Sequence, residues 1–278
     1  MENELDRPFV EAELTYLLDT GVTPVNYPSV AGGRTERDTG TPDHQTVVLR
    51  NARLRAEPCT LDREGFEIAR HDTTVGDFYD DAELDSVYTA EVEALVTERT
   101  GAERAVVFDY TRRSDDAGVQ EKRTIRGPAA LVHNDYTERS AIQRLRDILP
   151  NEADALLERR FAIVNVWRSV AGPVYRSPVA LCDGSSVAEG DVIVVERRGV
   201  DRIGQICRIT FNESHRWFYY PQLAPGEVVL IKTHDSGGNG RCRFAPHASF
   251  ENPAAPPESP PRESIEARVF AFFAGSGG

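Results

Sequence analysis

FAIVNVW at 161–167, PVALC at 178–182, DVIVVER at 191–197, GQICRITF at 204–211, HRWFYY at 215–220, EVVLIK at 227–232, RFAPHASF at 243–250 and SIEARVFAFF at 264–273 follow one another through the C-terminal half of the chain. Each run is short and rich in β-branched and aromatic residues, and turn residues separate most of them. Eight such runs in succession predict a mainly β fold with flanking helices. Its core is expected to be a double-stranded β-helix of the jelly-roll or cupin-like kind, because closing the sheets on each other removes their edges.

Working outward from there, residues 138–160 read as a helical insertion, interrupted at Pro150, with Asn151 capping its second part. Residues 129–132 (AALV) read as a strand running into HNDYT, and 104–110 (RAVVFDY) as another. A helix is expected over 86–100: Tyr88, Val92, Leu95 and Val96 share a face, Asp85 or Ser86 can cap it, and Gly101 follows its end. Residues 1–60 carry little periodicity beyond TVVL at 46–49 and read as an extended arm with one or two strands. Residues 252–261 hold five prolines, a stiff loop rather than a linker, since a strand follows. The expectation is one domain over 1–278, with the β-helix core at about 104–273.

Composition narrows the function classes. The 278 residues carry a net charge of −13, and residues 1–100 hold 22 acids against 9 bases. The remainder is neutral, so neither part offers the basic surface that a nucleic-acid partner needs. No apolar run reaches the roughly 20 residues of a membrane helix, and the N-terminus has no apolar signal core. Cys59, Cys182, Cys207 and Cys242 lack CxxC spacing and suit reduced thiols in the cytoplasm.

His133-Asn134-Asp135 is the one His-x-Asp in the chain. In a strand, residues two apart share a face, so imidazole and carboxylate can meet one cation from the same side. A non-haem ferrous centre needs a second histidine and open positions for cosubstrate and oxygen. In a double-stranded β-helix that histidine comes late, with an arginine about ten to fifteen residues beyond it for the far carboxylate of 2-oxoglutarate. His247 and Arg262, 15 residues apart, fit this spacing, and Ser264 could add a hydroxyl from the same strand face. His215 is the rival ligand, but 225–230 beyond it contains no arginine. Spacing favours His247 and leaves His215 as a pocket or packing residue. Arg268 shares parity with Arg262 and could reach the same site, unless one of the two is an ion-pair partner of Glu266 or Glu251. Asn165, Trp167, Arg168, His215, Trp217 and Tyr219 are candidate substrate-pocket residues. His234 reads as a turn residue, and His44 and His71 as surface residues.

The strings VHNDYT, NVWRSVAGPVYRSPVALCD, HRWFYYPQLAPGEVVLIKTHDS and APHASFENPAAPPESPPRESIEARVFAF resemble the hydroxylase/desaturase family of non-haem iron, 2-oxoglutarate-dependent enzymes. The likeness runs from about residue 46 to 273 and includes GFEIARHDTTVGDFYDD and TGAERAVVFDYTRR. Many relatives read NVWRP where this chain has Ser169, a position that carries no ligand. The resemblance implies Fe(II), 2-oxoglutarate and O2 as cofactor and cosubstrates. It implies hydroxylation, desaturation or another oxidation of a C–H bond in a small secondary metabolite, with succinate and CO2 released. Two other classes compete. A cupin-like binding protein would use its metal only for stability; a methyltransferase would need a glycine-rich turn opening a helix, and AGGR and SGGNG open none.

Overall fold

The computed structural model describes residues 4–28, 37–200 and 203–275. Two curved sheets face each other. The larger contains β1 (Phe9–Leu17), β2 (Val25–Tyr27), β3 (Arg37–Asp38), β4 (Pro42–Asn51), β7 (His133–Asn134), β9 (Val179–Cys182), β10 (Val192–Arg198), β11 (Ile203–Ile209), β12 (Trp217–Tyr219) and β14 (His247–Ser249). Its spatial order is β1-β4-β12-β9-β14-β7-β11-β10-β2-β3. The smaller sheet contains β5 (Phe66–Arg70), β6 (Arg104–Ser114), β8 (Phe161–Ser169), β13 (Glu227–Asp235) and β15 (Glu263–Phe272), ordered β5-β13-β8-β15-β6. Each of the eight runs that opened the sequence analysis supplies one of the strands from β8 to β15.

Strand parity builds the layers. In β8, Phe161 and Ile163 pack under the helical insertion and Trp167 packs on the opposite sheet, while Ala162, Val164 and Val166 face outward onto a helix. That helix is α2 (Thr89–Thr100), whose Val92, Leu95 and Val96 are buried against the sheet. Gly101 ends it in a left-handed conformation at φ 70°, where a side chain would be strained. It begins earlier than its periodicity suggests. The short α1 (Asp81–Glu83), capped by Asp80, leads through a wide turn at Leu84–Tyr88 into α2.

The N-terminal residues are not an arm. β1 and β4 form a long antiparallel hairpin from Phe9↔Arg50 to Leu17↔Pro42. These strands form one edge of the larger sheet, which curls so that Val10, Leu14 and Tyr16 pack against Trp217, Tyr219, Ala180 and Ala248. The alternation of buried Val10, Ala12, Leu14 and Tyr16 with exposed Glu11 and Glu13 is a strand signal that the reading of an arm passed over. One further helix, α3 (Ala117–Arg123), carries no buried residue and so had no apolar stripe to reveal it. The insertion forms α4 (Glu138–Ile148) and α5 (Ala153–Leu157), which packs without a side-chain cap, so Asn151 does not play the role expected of it.

Candidate metal centre and the cavity beside it

His133 lies in β7 and His247 in β14, and the two are directly paired across the ladder. Their rings stand 4.5 Å apart, centre to centre, with 52° between the planes. Both rings are fixed in the same way. His133 Nδ1 lies 2.7 Å from the carbonyl of Leu131 and His247 Nδ1 lies 3.1 Å from that of Ala245. With Nδ1–H donating to a carbonyl, each Nε2 carries the lone pair a metal would take.

Asp135 follows β7 just before Thr137, which caps α4 reciprocally with Ser140. The carboxylate is therefore held between a strand end and a helix start. Its Oδ2 accepts from Asn165 Nδ2 at 2.8 Å and from Arg268 Nε at 3.0 Å. Oδ1 stands 3.8 Å from His133 Nε2. One ligand atom from each of His133, Asp135 and His247 falls within a 4.8 Å group, and all three residues are buried.

The donor set, two imidazoles and one carboxylate converging on one point, fits a divalent transition metal. Burial and the adjacent His247 ring push the His133 imidazole down to about 3, so it stays neutral across physiological pH. Burial alone would raise the Asp135 carboxyl, but Arg268 and the two histidines hold it well below the usual carboxylate range. Charge gives a second reason. Arg268 is ion-paired to Asp135, Asp109 and Glu266 together, so its single positive charge is shared among three carboxylates, an environment suited to a cation at Asp135.

Arg262 and Arg268 share a face of β15 yet have different surroundings. Arg262 is buried, with Nε on Ser264 Oγ at 3.1 Å and Nη1 on the Ser177 carbonyl and Ser249 Oγ at 2.6 and 3.0 Å. Its guanidinium lies 5.0 Å from the Trp167 ring. None of its ion pairs among the described residues involves a carboxylate at its guanidinium. Burial, and then Arg113, lower it to about 9 against the opposing pull of Asp115 and Glu266, and no carboxylate hydrogen-bonds its guanidinium among the described residues. Ser249 sits two residues past His247 on the same face of β14, about 7 Å along the strand, which places this cation beside the triad.

The remaining candidates divide by parity. Asn165 and Trp167 point into the space between the sheets. Arg168 has the opposite parity and turns outward, donating to the carbonyls of His71 and Pro225 and lying over Phe78 and Tyr88. Trp217 and Tyr219 pack against β1, and the inward residue of β12 is Phe218. Trp217 Nε1 donates to Tyr16 at 2.7 Å. His215 stacks on Tyr16, and its Nε2 lies 3.1 Å from Asp191. So Arg168, His215, Trp217 and Tyr219 do not line the space at the triad; aromatic and cationic character alone misplaced them. His234 is buried against Phe161 rather than in a turn, and His71 is half-buried.

A cavity of about 850 Å³ opens at Asp135 and Arg268. Tyr136, Asp109, Arg126, Arg144 and Arg197 also line it. Tyr136 lies in VHNDYT, and Asp109 and Thr111 in TGAERAVVFDYTRR, strings that carried the family likeness without assigning these residues a role; Asp109 and Thr111 become neighbours of Arg268 through the β6–β15 register.

Comparison with known proteins follows the same lines. A family model described as "Oxidoreductase/YMDC permease-like domain" matches residues 14–272. No helix of the described residues is long and apolar enough to cross a membrane. The hydroxylase/desaturase CTB9 of Cercospora beticola is 31% identical over 96% of this chain and 88% of its own. The Fe(II)/2-oxoglutarate-dependent dioxygenase nvfI of Aspergillus novofumigatus is 34% identical over 69% of each. The solved structure of the iron and alpha-ketoglutarate-dependent endoperoxidase NvfI superimposes with a TM-score of 0.85 at 27% identity, covering 97% of this chain and all of that one.

Proposed function

Because the chain belongs to the hydroxylase/desaturase family of Fe(II)/2-oxoglutarate-dependent oxygenases, we propose that His133, Asp135 and His247 hold its ferrous ion and that Arg262, with Ser264, holds the far carboxylate of 2-oxoglutarate. The protein is a non-haem dioxygenase that oxidises a C–H bond of a small secondary metabolite. Ferrous iron and 2-oxoglutarate together supply the oxidising power from O2, and the ketoacid leaves as succinate and CO2. The cupin-like alternative without turnover is not favoured.

The chain's own work is positioning. The carbonyls of Leu131 and Ala245 set the tautomer and tilt of the two imidazoles. Asn165 and Arg268 occupy one carboxylate oxygen of Asp135 and leave the other for the metal. Arg262 offers a planar, desolvated fork matched to a carboxylate, and the Trp167 face fixes its plane. The substrate would occupy the 850 Å³ cavity, whose arginines and carboxylates suit a molecule with polar groups. Four buried, unpaired cysteines suit a reducing compartment such as the cytoplasm.

The observation that carries the assignment is the convergence of three buried ligand atoms within 4.8 Å. Anaerobic addition of Fe(II) and 2-oxoglutarate tests it. A visible charge-transfer band should form in the native protein and vanish in His247→Ala; a native protein with no band would refute it.

A further inference from the structure

We propose that Arg268 is a positioning residue for the metal: pinned by Asp109, Thr111 and Glu266, its guanidinium holds Oδ2 of Asp135 so that only Oδ1 faces the imidazoles. The proposal rests on the reading of His133, Asp135 and His247 as ligands and extends it to how the carboxylate is presented.

Every nitrogen of this guanidinium is engaged. Nε donates to Asp135 Oδ2 at 3.0 Å, Nη1 to Asp109 Oδ2 and Thr111 Oγ1 at 2.8 and 2.9 Å, and Nη2 pairs with Glu266 Oε1 at 2.6 Å. Four of its five N–H groups are thus taken by Asp135, Asp109, Thr111 and Glu266, whereas the guanidinium of Arg262 meets only neutral acceptors. The backbone is shaped for the same arrangement. Arg268 pairs in register with Asn165 of β8, the other donor to Asp135 Oδ2, and with Asp109 of β6. The β15–β6 ladder slips between Arg268 and Val269, where Val269 pairs with Val107 and skips Phe108. A bulge lets consecutive residues face the same way. Phe108 stacks on Phe270 at 4.3 Å in the cluster under the helical insertion, and Asp109 beside it reaches Arg268.

The chemical consequence concerns denticity. A carboxylate with both oxygens free can chelate a metal and close a coordination position that cosubstrate or O2 needs. With two donors on Oδ2, Asp135 is restricted to one oxygen. A lysine would keep the charge, but one ammonium cannot reach Asp135, Asp109 and Glu266 in a planar fork.

Titration of the apoprotein with Co(II) alone, followed by its visible d–d absorption, tests the idea. Arg268→Lys should remain folded by circular dichroism and bind Co(II) about 10- to 100-fold more weakly than native protein, with shifted bands. Its half-saturation by 2-oxoglutarate at saturating metal should stay within about twofold, whereas Arg262→Lys should show the reverse pattern. Should Arg268→Lys fail to fold, Asp109→Asn and Thr111→Val together loosen the same guanidinium and should weaken Co(II) about threefold or more. A folded Arg268→Lys, or in its place the double variant, with native Co(II) affinity and bands would overturn the proposal. If native protein takes up no Co(II), or His247→Ala takes it up as tightly, the ligand assignment itself falls, and this proposal with it.

Discussion

The two arginines of β15 show how far a residue's role depends on what surrounds it. Arg262 and Arg268 have identical chemistry and share a strand face, yet one is buried among neutral acceptors and the other among three carboxylates. Replacing Arg262 by Lys should raise the 2-oxoglutarate concentration for half-maximal succinate release about tenfold or more, because the bidentate contact is lost. Trp217→Phe makes the opposite kind of prediction. It removes the buried bond to Tyr16 and leaves that hydroxyl short of a donor, so denaturant unfolding should show a loss of about 1–3 kcal/mol. The Fe(II)–2-oxoglutarate band should be unchanged, since the indole lies behind the sheet. His234 gives a pH dependence. Burial lowers its imidazole to about 4, against 6.5 in the unfolded chain. Between those values the unfolded chain binds a proton that the folded one refuses. Stability is therefore complete above pH 6.5 and falls as pH drops toward 4. In His234→Phe the slope of stability against pH across that window should be shallower by up to one proton.

At the scale of elements, parity within strands was the most legible feature. Phe161–Ser169 and Glu263–Phe272 are buried on both faces, so no polar alternation marks them, but parity alone puts Asn165 with Trp167 and Arg262 with Ser264 and Arg268. The same rule separates Arg168 from Asn165 and Trp167, a distinction available from spacing alone. It could not say which face of Trp217–Tyr219 is inward, since all three side chains are aromatic and all are buried. Loop packing was invisible as well. Gly184, opening the turn after β9, has so little room that a Cβ there would lie 2.1 Å from the Phe244 carbonyl oxygen and 2.4 Å from Cys242 Sγ. Gly184→Ala should cost about 2 kcal/mol or more in denaturant unfolding, because the backbone atom it meets cannot rotate away. That backbone leads through Ala245, whose carbonyl holds His247. Metal affinity should fall with stability in this variant.

For the whole molecule, a metal held as proposed by His133, Asp135 and His247 would join segments separated by more than a hundred residues of chain. Ligand that binds only the folded state stabilises it by about 2.7 kcal/mol when present at a hundredfold its dissociation constant. Thermal unfolding should therefore shift upward on adding Co(II) to native protein, and His247→Ala should show no shift. The antiparallel pair of β1 and β4, read from sequence as part of an arm, instead forms one edge of the larger sheet and buries Tyr16 against Trp217.

The chain alone determined the run of strands, the His-x-Asp pair, and the spacing that linked His247 to Arg262. These are local or periodic features, set by which side chains alternate and by how many residues separate them. Only the tertiary structure decided that Arg268 is caged by carboxylates, that His215 and Trp217 lie outside the site, and which charged groups line the cavity. Those outcomes depend on strand order, on one slipped register in β15 and on which face each sheet turns inward, and each is settled by packing between segments remote in sequence.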